Sequence, residues 1–159
     1  AFNPNFMIIL TGGAGFIGSA FLSKLNCEGV DDILIIDSLG TSEKWKNLSG
    51  KKFDNFEHKD NFLNQLSSLP KKKITHIIHL GACSSTIETN ADYMMRNNFQ
   101  FTKTLAEFSI HNNIPFIYAS SAATYGDGTA GFSDDEALSF KLEALNVYAY
   151  SKLLFDQWA

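Results

Sequence analysis

Tyr148 and Lys152 lie four residues apart near the end of the 159-residue chain, a spacing that puts both side chains on one face of a helix. A tyrosine hydroxyl titrates at about 10, but an ammonium within ~4–6 Å favours the phenolate by about 1–3 units. A tyrosine so placed can take the proton of a substrate hydroxyl as hydride leaves the adjoining carbon. Ser121 could hydrogen-bond the same oxygen as it becomes a carbonyl. The spacing also arises by chance in many helices, and Tyr150 beside the pair reads as an ordinary packed aromatic. What gives the pair meaning is the glycine-rich stretch that opens the chain.

Met7–Leu10 is an apolar run too short for a helix. It breaks into Thr11-Gly12-Gly13-Ala14-Gly15 before Phe16–Leu22 resume with apolar residues at helical spacing. Strand, glycine turn, helix is the order a dinucleotide site requires. Gly12 allows the tight turn, Gly15 lets a diphosphate approach the backbone, and Gly18 lets the helix pack close to the strand. Free N–H groups at the helix start then face the diphosphate. A mononucleotide P-loop would close on Gly-Lys-Ser/Thr, whereas Gly18 is followed by Ser19 and Ala20.

Asp37 stands 19 residues beyond Gly18, at the end of a second apolar run, where an acid bonds the adenosine ribose hydroxyls. The alternative is a plain strand-end carboxylate. Gly81-Ala82, after a later strand, would give a cofactor a wall without side chains, although small residues also occur in ordinary turns. Lys59-Asp60 is a weaker strand end that could equally be a solvated loop.

The elements that must position these groups alternate along the chain. After the first strand and helix 16–26 come strand 33–36 capped by Asp37, a polar loop 38–52 with a short helix around 44–48, and a weak strand 55–59. A short helix 62–69 stopped by Pro70 leads to strand 74–80, a helical segment about 90–111, strand 116–119 ending in Ser120-Ser121, and a final helix from about Asn146. Alternating strands and helices imply parallel pairing with right-handed crossovers, hence an α/β, Rossmann-type doubly wound sheet. In such a sheet ligands bind at the carboxyl ends of the strands.

The chain is 45% hydrophobic, enough for a core of single-domain size, and its formal charge of −4 offers no basic field for nucleic acid. No apolar run is long enough for a membrane span, and no signal-peptide pattern opens the chain. Cys27 and Cys83 read as reduced thiols in a cytoplasmic protein. His58, His76, His79 and His111 show no metal-ligand spacing with them, so no metal site is expected, and His76 and His79 read as strand residues with satisfied nitrogens.

At these residues a family resemblance becomes plain. TGGAGFIG (11–18), the Tyr148/Lys152 pair and SSAATYG (120–126) resemble the extended short-chain dehydrogenase/reductases that act on nucleotide-linked sugars. More narrowly, HLGACSST (79–86), YMMRNN (93–98), PFIYASSAATYG (115–126) and LNVYAYSK (145–152) resemble the family that epimerises ADP-glycero-manno-heptose at C6. The resemblance runs from Met7 to the last residue. It implies an NADP-dependent isomerase of lipopolysaccharide-core precursor synthesis, with NAD the other cofactor to consider, an ADP-heptose-type nucleotide sugar as substrate, and a homo-oligomer for the full-length protein.

The resemblance gives Ser121, Tyr148 and Lys152 the catalytic roles described above. To the cofactor it gives Phe16, Ile17, Asp37, Ser38, Lys44, Lys59, Leu80, Gly81, Ala82, Cys83, Ser84 and Asn97, beside Gly12, Gly15 and Gly18. Asp37 alone would repel a 2′-phosphate and favour NAD, whereas the ammonium of Lys44 or Lys59 could pair with it. The chain departs from the family pattern at Leu80, where a glutamate is expected, and at Ala149, where glycine is usual.

The family continues for roughly another domain's length. Residues 7–159 are therefore expected to form the NAD(P)-binding domain without its last strands or a substrate domain, and residues 1–6 to be a lead-in or a cloning remnant. Such a piece by itself is expected to be catalytically silent. Within the superfamily a 4,6-dehydratase would need an acidic pair where Ala122 and Ala123 stand, and a UDP-hexose 4-epimerase explains HLGACSST less well. A non-catalytic dinucleotide-binding module is the reading from another class.

Overall fold

A computed structural model describes residues 6–159. The expectation for 1–6 therefore lies outside the described residues, apart from Phe6, which packs against the core. Five parallel strands, β1 (Met7–Thr11), β2 (Ile33–Asp37), β3 (Asn55–His58), β4 (Ile74–His79) and β5 (Phe116–Tyr118), form one sheet in the order β3-β2-β1-β4-β5. The chain runs outward from β1 in one direction to β3, then returns to the other side of β1 for β4 and β5. That reversal is the doubly wound topology, and its switch point lies between β1 and β4.

All five residues of β2 are buried, as a parallel strand covered on both faces requires. Ile8, Leu10, Leu22, Ile33, Ile35 and Ile78 form a buried cluster closed by Phe21, Leu25, Phe53 and Phe56. Each such side chain contributes about 1.5–3 kcal/mol on full burial. Helix α1 (Phe16–Cys27) ends where the N–H of Gly29 donates to Asn26 and that of Val30 to Leu25. Helix α2 (Lys59–Gln65) begins three residues before the expected 62, so Lys59 opens a helix instead of ending a strand. His58 caps it, its Nδ1 accepting the N–H of Asp60 at 3.3 Å, and a 3-10 turn, Leu66–Ser68, follows before Pro70.

The chain divides into two compact units, one made of residues up to Gly81 with Ala106–Tyr118, the other of Ala82–Leu105 with Ala119–Ala159. The helical segment expected about 90–111 is α3 (Ala91–Met94), a π-helical stretch (Met95–Gln100) and α4 (Phe101–Asn112). In the second unit α5 (Val147–Trp158) starts at Asn146, whose Oδ1 accepts the N–H of Ala149 at 2.8 Å. Two 3-10 turns, Ala122–Tyr125 and Glu136–Lys141, occupy what the hydrophobic pattern leaves as loop. Among the described residues no helix is long and apolar enough to cross a membrane.

Candidate functional site

The glycine turn leaves β1 at the switch point and is shaped by close backbone approach. Gly12 has φ +71°, and a Cβ there would lie 2.7 Å from both Cα and N of Gly81. At Gly18 a Cβ would meet the Gly12 carbonyl oxygen at 2.1 Å. Gly18 is thus demanded by the turn's own backbone, not by the strand as the spacing alone suggests. Gly15 meets only that same oxygen, at 3.2 Å, so its other side is open to a ligand. No side chain caps α1, and the first helical hydrogen bond runs from Ser19 to Gly15. The N–H groups of Phe16, Ile17 and Gly18 therefore lack intrahelical acceptors, the donor set a diphosphate takes. Phe16 and Ile17 are 88% and 66% exposed, apolar side chains at the rim of that cradle.

Beneath the turn the hydroxyl of Thr11 accepts the N–H of Gly81 at 3.0 Å and lies 2.6 Å from His79 Nδ1. The Thr11 hydroxyl thus ties the ends of β1 and β4 together. His79 is a satisfied strand histidine, as expected. Leu80 is half-buried and packs against the hydrophobic cluster.

Asp37 holds the glycine turn in place. Its Oδ2 accepts the N–H of Ala14 at 2.8 Å, clamping the glycine turn, while Oδ1 accepts from the Ser38 N–H at 2.7 Å and from Lys44 Nζ at 2.6 Å. Asn47, which no sequence spacing singles out, holds the same turn through a 2.9 Å bond to the Ala14 carbonyl. Ser38 Oγ lies 3.1 Å from Nε2 of His58, a second residue the sequence does not flag. Lys44 and Lys59 both have carboxylate partners, Lys44 in Asp37 and Lys59 in Asp60 at 3.2 Å. An ammonium carries three donors, so Lys44 can keep Asp37 and still receive a phosphate.

The second unit holds Ala82, Cys83, Ser84 and Asn97 together with Ser121, Tyr148 and Lys152. Its hub is Asn98, which is buried. The Asn98 side-chain Oδ1 accepts from the Cys83 N–H and from Asn97 Nδ2, each at 2.9 Å, while its Nδ2 donates to the Cys83 backbone carbonyl at 2.9 Å and to Ser151 Oγ at 3.0 Å. Ser151 in turn donates to the Tyr148 carbonyl at 2.7 Å. One buried side chain thus holds the Cys83 loop to the helix that carries Tyr148. The polar run Asn97-Asn98 was its signal in the sequence, and burial picks the second of the two. Placing Asn98 here is the π-helical stretch, a feature that recurs at functional sites.

Ser121 precedes a 3-10 turn, and its Oγ accepts the Ala123 N–H at 3.2 Å, which leaves its own proton to donate. Tyr148 is half-buried, while Tyr150, read as packed, is 51% exposed. Lys152 is 4% exposed. Burial pushes its ammonium below the ordinary lysine value of 10.5, and the charge of Asp156 opposes that shift.

A model of the NAD dependent epimerase/dehydratase family matches residues 8–159, and the chain belongs to that family. Within it, the chain is 50% identical over 155 residues to an ADP-L-glycero-D-manno-heptose-6-epimerase of Nitratidesulfovibrio vulgaris, covering 96% of this chain and 48% of the relative. It is 51% identical over 157 residues to the protein of the same name from Fusobacterium nucleatum, covering 96% and 47%. Among solved structures it resembles the Helicobacter pylori ADP-L-glycero-D-manno-heptose-6-epimerase with a TM-score of 0.76 at 29% identity, over 97% of this chain and 49% of that one. The UDP-Glc/GlcNAc 4-epimerase of Campylobacter jejuni gives a TM-score of 0.76 at 27% identity, over 96% and 47%. The chain spans about half the length of the curated relatives it matches.

Proposed function

We propose that the protein carrying this chain converts ADP-D-glycero-D-manno-heptose to its L-glycero epimer by transient oxidation at C6. The observation that carries this reading is one compact unit that unites Ser121, Tyr148 and Lys152 in a chain half-identical to enzymes of that name. The glycine turn, with Gly81 packed against Gly12, and Asp37 would hold the dinucleotide. When bound, the nicotinamide supplies a hydride acceptor that returns the hydride, so the reaction is redox-neutral.

Tyr148 then takes the C6 hydroxyl proton, Ser121 donates to the same oxygen as it becomes a carbonyl, and Lys152 supplies a positive charge one helical turn from the tyrosine. For return of hydride to the opposite face, the keto sugar turns and Tyr148 gives the proton back. NADP is the cofactor we assign, through Lys44 and Lys59, NAD being the alternative. The same reading places the protein in the cytoplasm as a homo-oligomer whose sugar-gripping residues lie in a further domain. Incubating the full-length protein with the D-glycero substrate and separating the epimers tests it: the L-glycero product should form without net NADPH release, and its absence refutes the assignment.

A further inference from the structure

The Tyr148/Lys152 line on α5 continues one more turn to Asp156, which neither the motif nor the reaction described above uses. Lys152 is 4% exposed, so its ammonium has little water around it and needs a protein charge to face. The charged and titratable groups on elements against α5 are Asp92, Tyr93, Arg96, Lys103, Tyr125, Glu136 and Lys141, and on α5 itself the charge of Asp156 counters the lowering that burial imposes on Lys152. At i,i+4 it lies on the same helix face. Its carboxylate is itself tethered, because Oδ2 accepts the hydroxyl of Ser120, the neighbour of Ser121 at the end of β5. A carboxylate fixed from outside the helix holds its charge at a set place, which a freely rotating side chain does not.

We infer that Asp156 is a positioning residue for the catalytic set: tethered by Ser120 one helical turn beyond Lys152, it offers the buried ammonium a fixed negative charge and joins the catalytic-serine segment to the tyrosine helix. This rests on the reading of Ser121, Tyr148 and Lys152 as the catalytic set. The sequence Ser120-Ser121 thus divides its labour, the second hydroxyl donating to substrate and the first holding the carboxylate. Asp156→Asn keeps an acceptor for Ser120 and removes the charge, so the variant separates electrostatics from tethering.

The test is a pH titration of the Lys152 side-chain resonance in lysine-labelled protein, assigned with Lys152→Arg. Asp156→Asn should move the midpoint to lower pH, Asp156→Glu should restore it, and Ser120→Ala should move it in the same direction as Asp156→Asn. A wild-type midpoint in Asp156→Asn overturns the proposal. Should that variant fail to fold, Ser120→Ala carries the test, and a wild-type midpoint there overturns it. Failure of the catalytic reading shows separately: full-length Lys152→Met turning over at the wild-type rate removes Lys152 from the chemistry, even where the midpoint still moves in Asp156→Asn.

Discussion

At the scale of single residues, the proposed mechanism asks Tyr148 only to move a proton. Tyr148→Phe in the full-length protein should therefore lower kcat by a factor of about 10²–10⁴ while the dinucleotide dissociation constant stays unchanged. Steady-state turnover beside a cofactor titration checks both halves. Lys44 and Lys59 bear on cofactor choice. If each gives a charge-assisted bond to a 2′-phosphate, the double alanine variant should weaken NADP by about 1–3 kcal/mol per lost bond and NAD much less. Equal weakening in calorimetric titrations would mean that the lysines serve only Asp37 and Asp60. Lys152 has a signature of its own in stability. Its folded value lies below the ordinary 10.5, so the unfolded chain binds this proton more readily and the buried ammonium opposes folding at lower pH. That penalty is relieved as pH rises through the folded value towards 10.5. Lys152→Met should accordingly gain stability over wild type at neutral pH, with the gain shrinking across that window in urea denaturation.

At the scale of elements, α5 matters because it carries Tyr148, Lys152 and Asp156 on one face, and its start is fixed by one side chain. Asn146→Ala removes the acceptor for the Ala149 N–H and should cost about 0.5–2 kcal/mol. A fall in the thermal midpoint by about 2–4 °C per kcal/mol would record it. The π-helical stretch turns on Asn98. Replacing Asn98 by alanine leaves the N–H and carbonyl of Cys83 without their side-chain partner, at a cost of about 1–3 kcal/mol per unsatisfied group, read by chemical denaturation.

At the scale of the whole molecule, relatives twice as long frame the last expectation. We expect the 159 residues by themselves to bind a dinucleotide through the glycine turn yet to form no epimer, since relatives named for that activity are about twice as long and the proximity a closed sugar site supplies is about 7–11 kcal/mol of barrier reduction. Epimer formation at the rate of the full-length protein would show that this segment suffices.

Much of this was legible in the residues alone. Alternating apolar runs and glycine breaks determined five parallel strands, because strand and helix periods are local properties of the chain. The turn at 11–18 was readable for the same reason, and Asn146 was recognisable as a helix start. Tertiary structure decided what depends on residues far apart in sequence. Asp37 clamps Ala14 across 23 positions, Asn98 reaches Ser151 across 53, and Ser120 reaches Asp156 across 36. No spacing rule encodes those meetings, which arise only when the topology brings strand ends and helix faces together. The early start of α2 belongs with them, since His58 caps it, and so does the π-helical stretch inside the helical segment expected at 90–111.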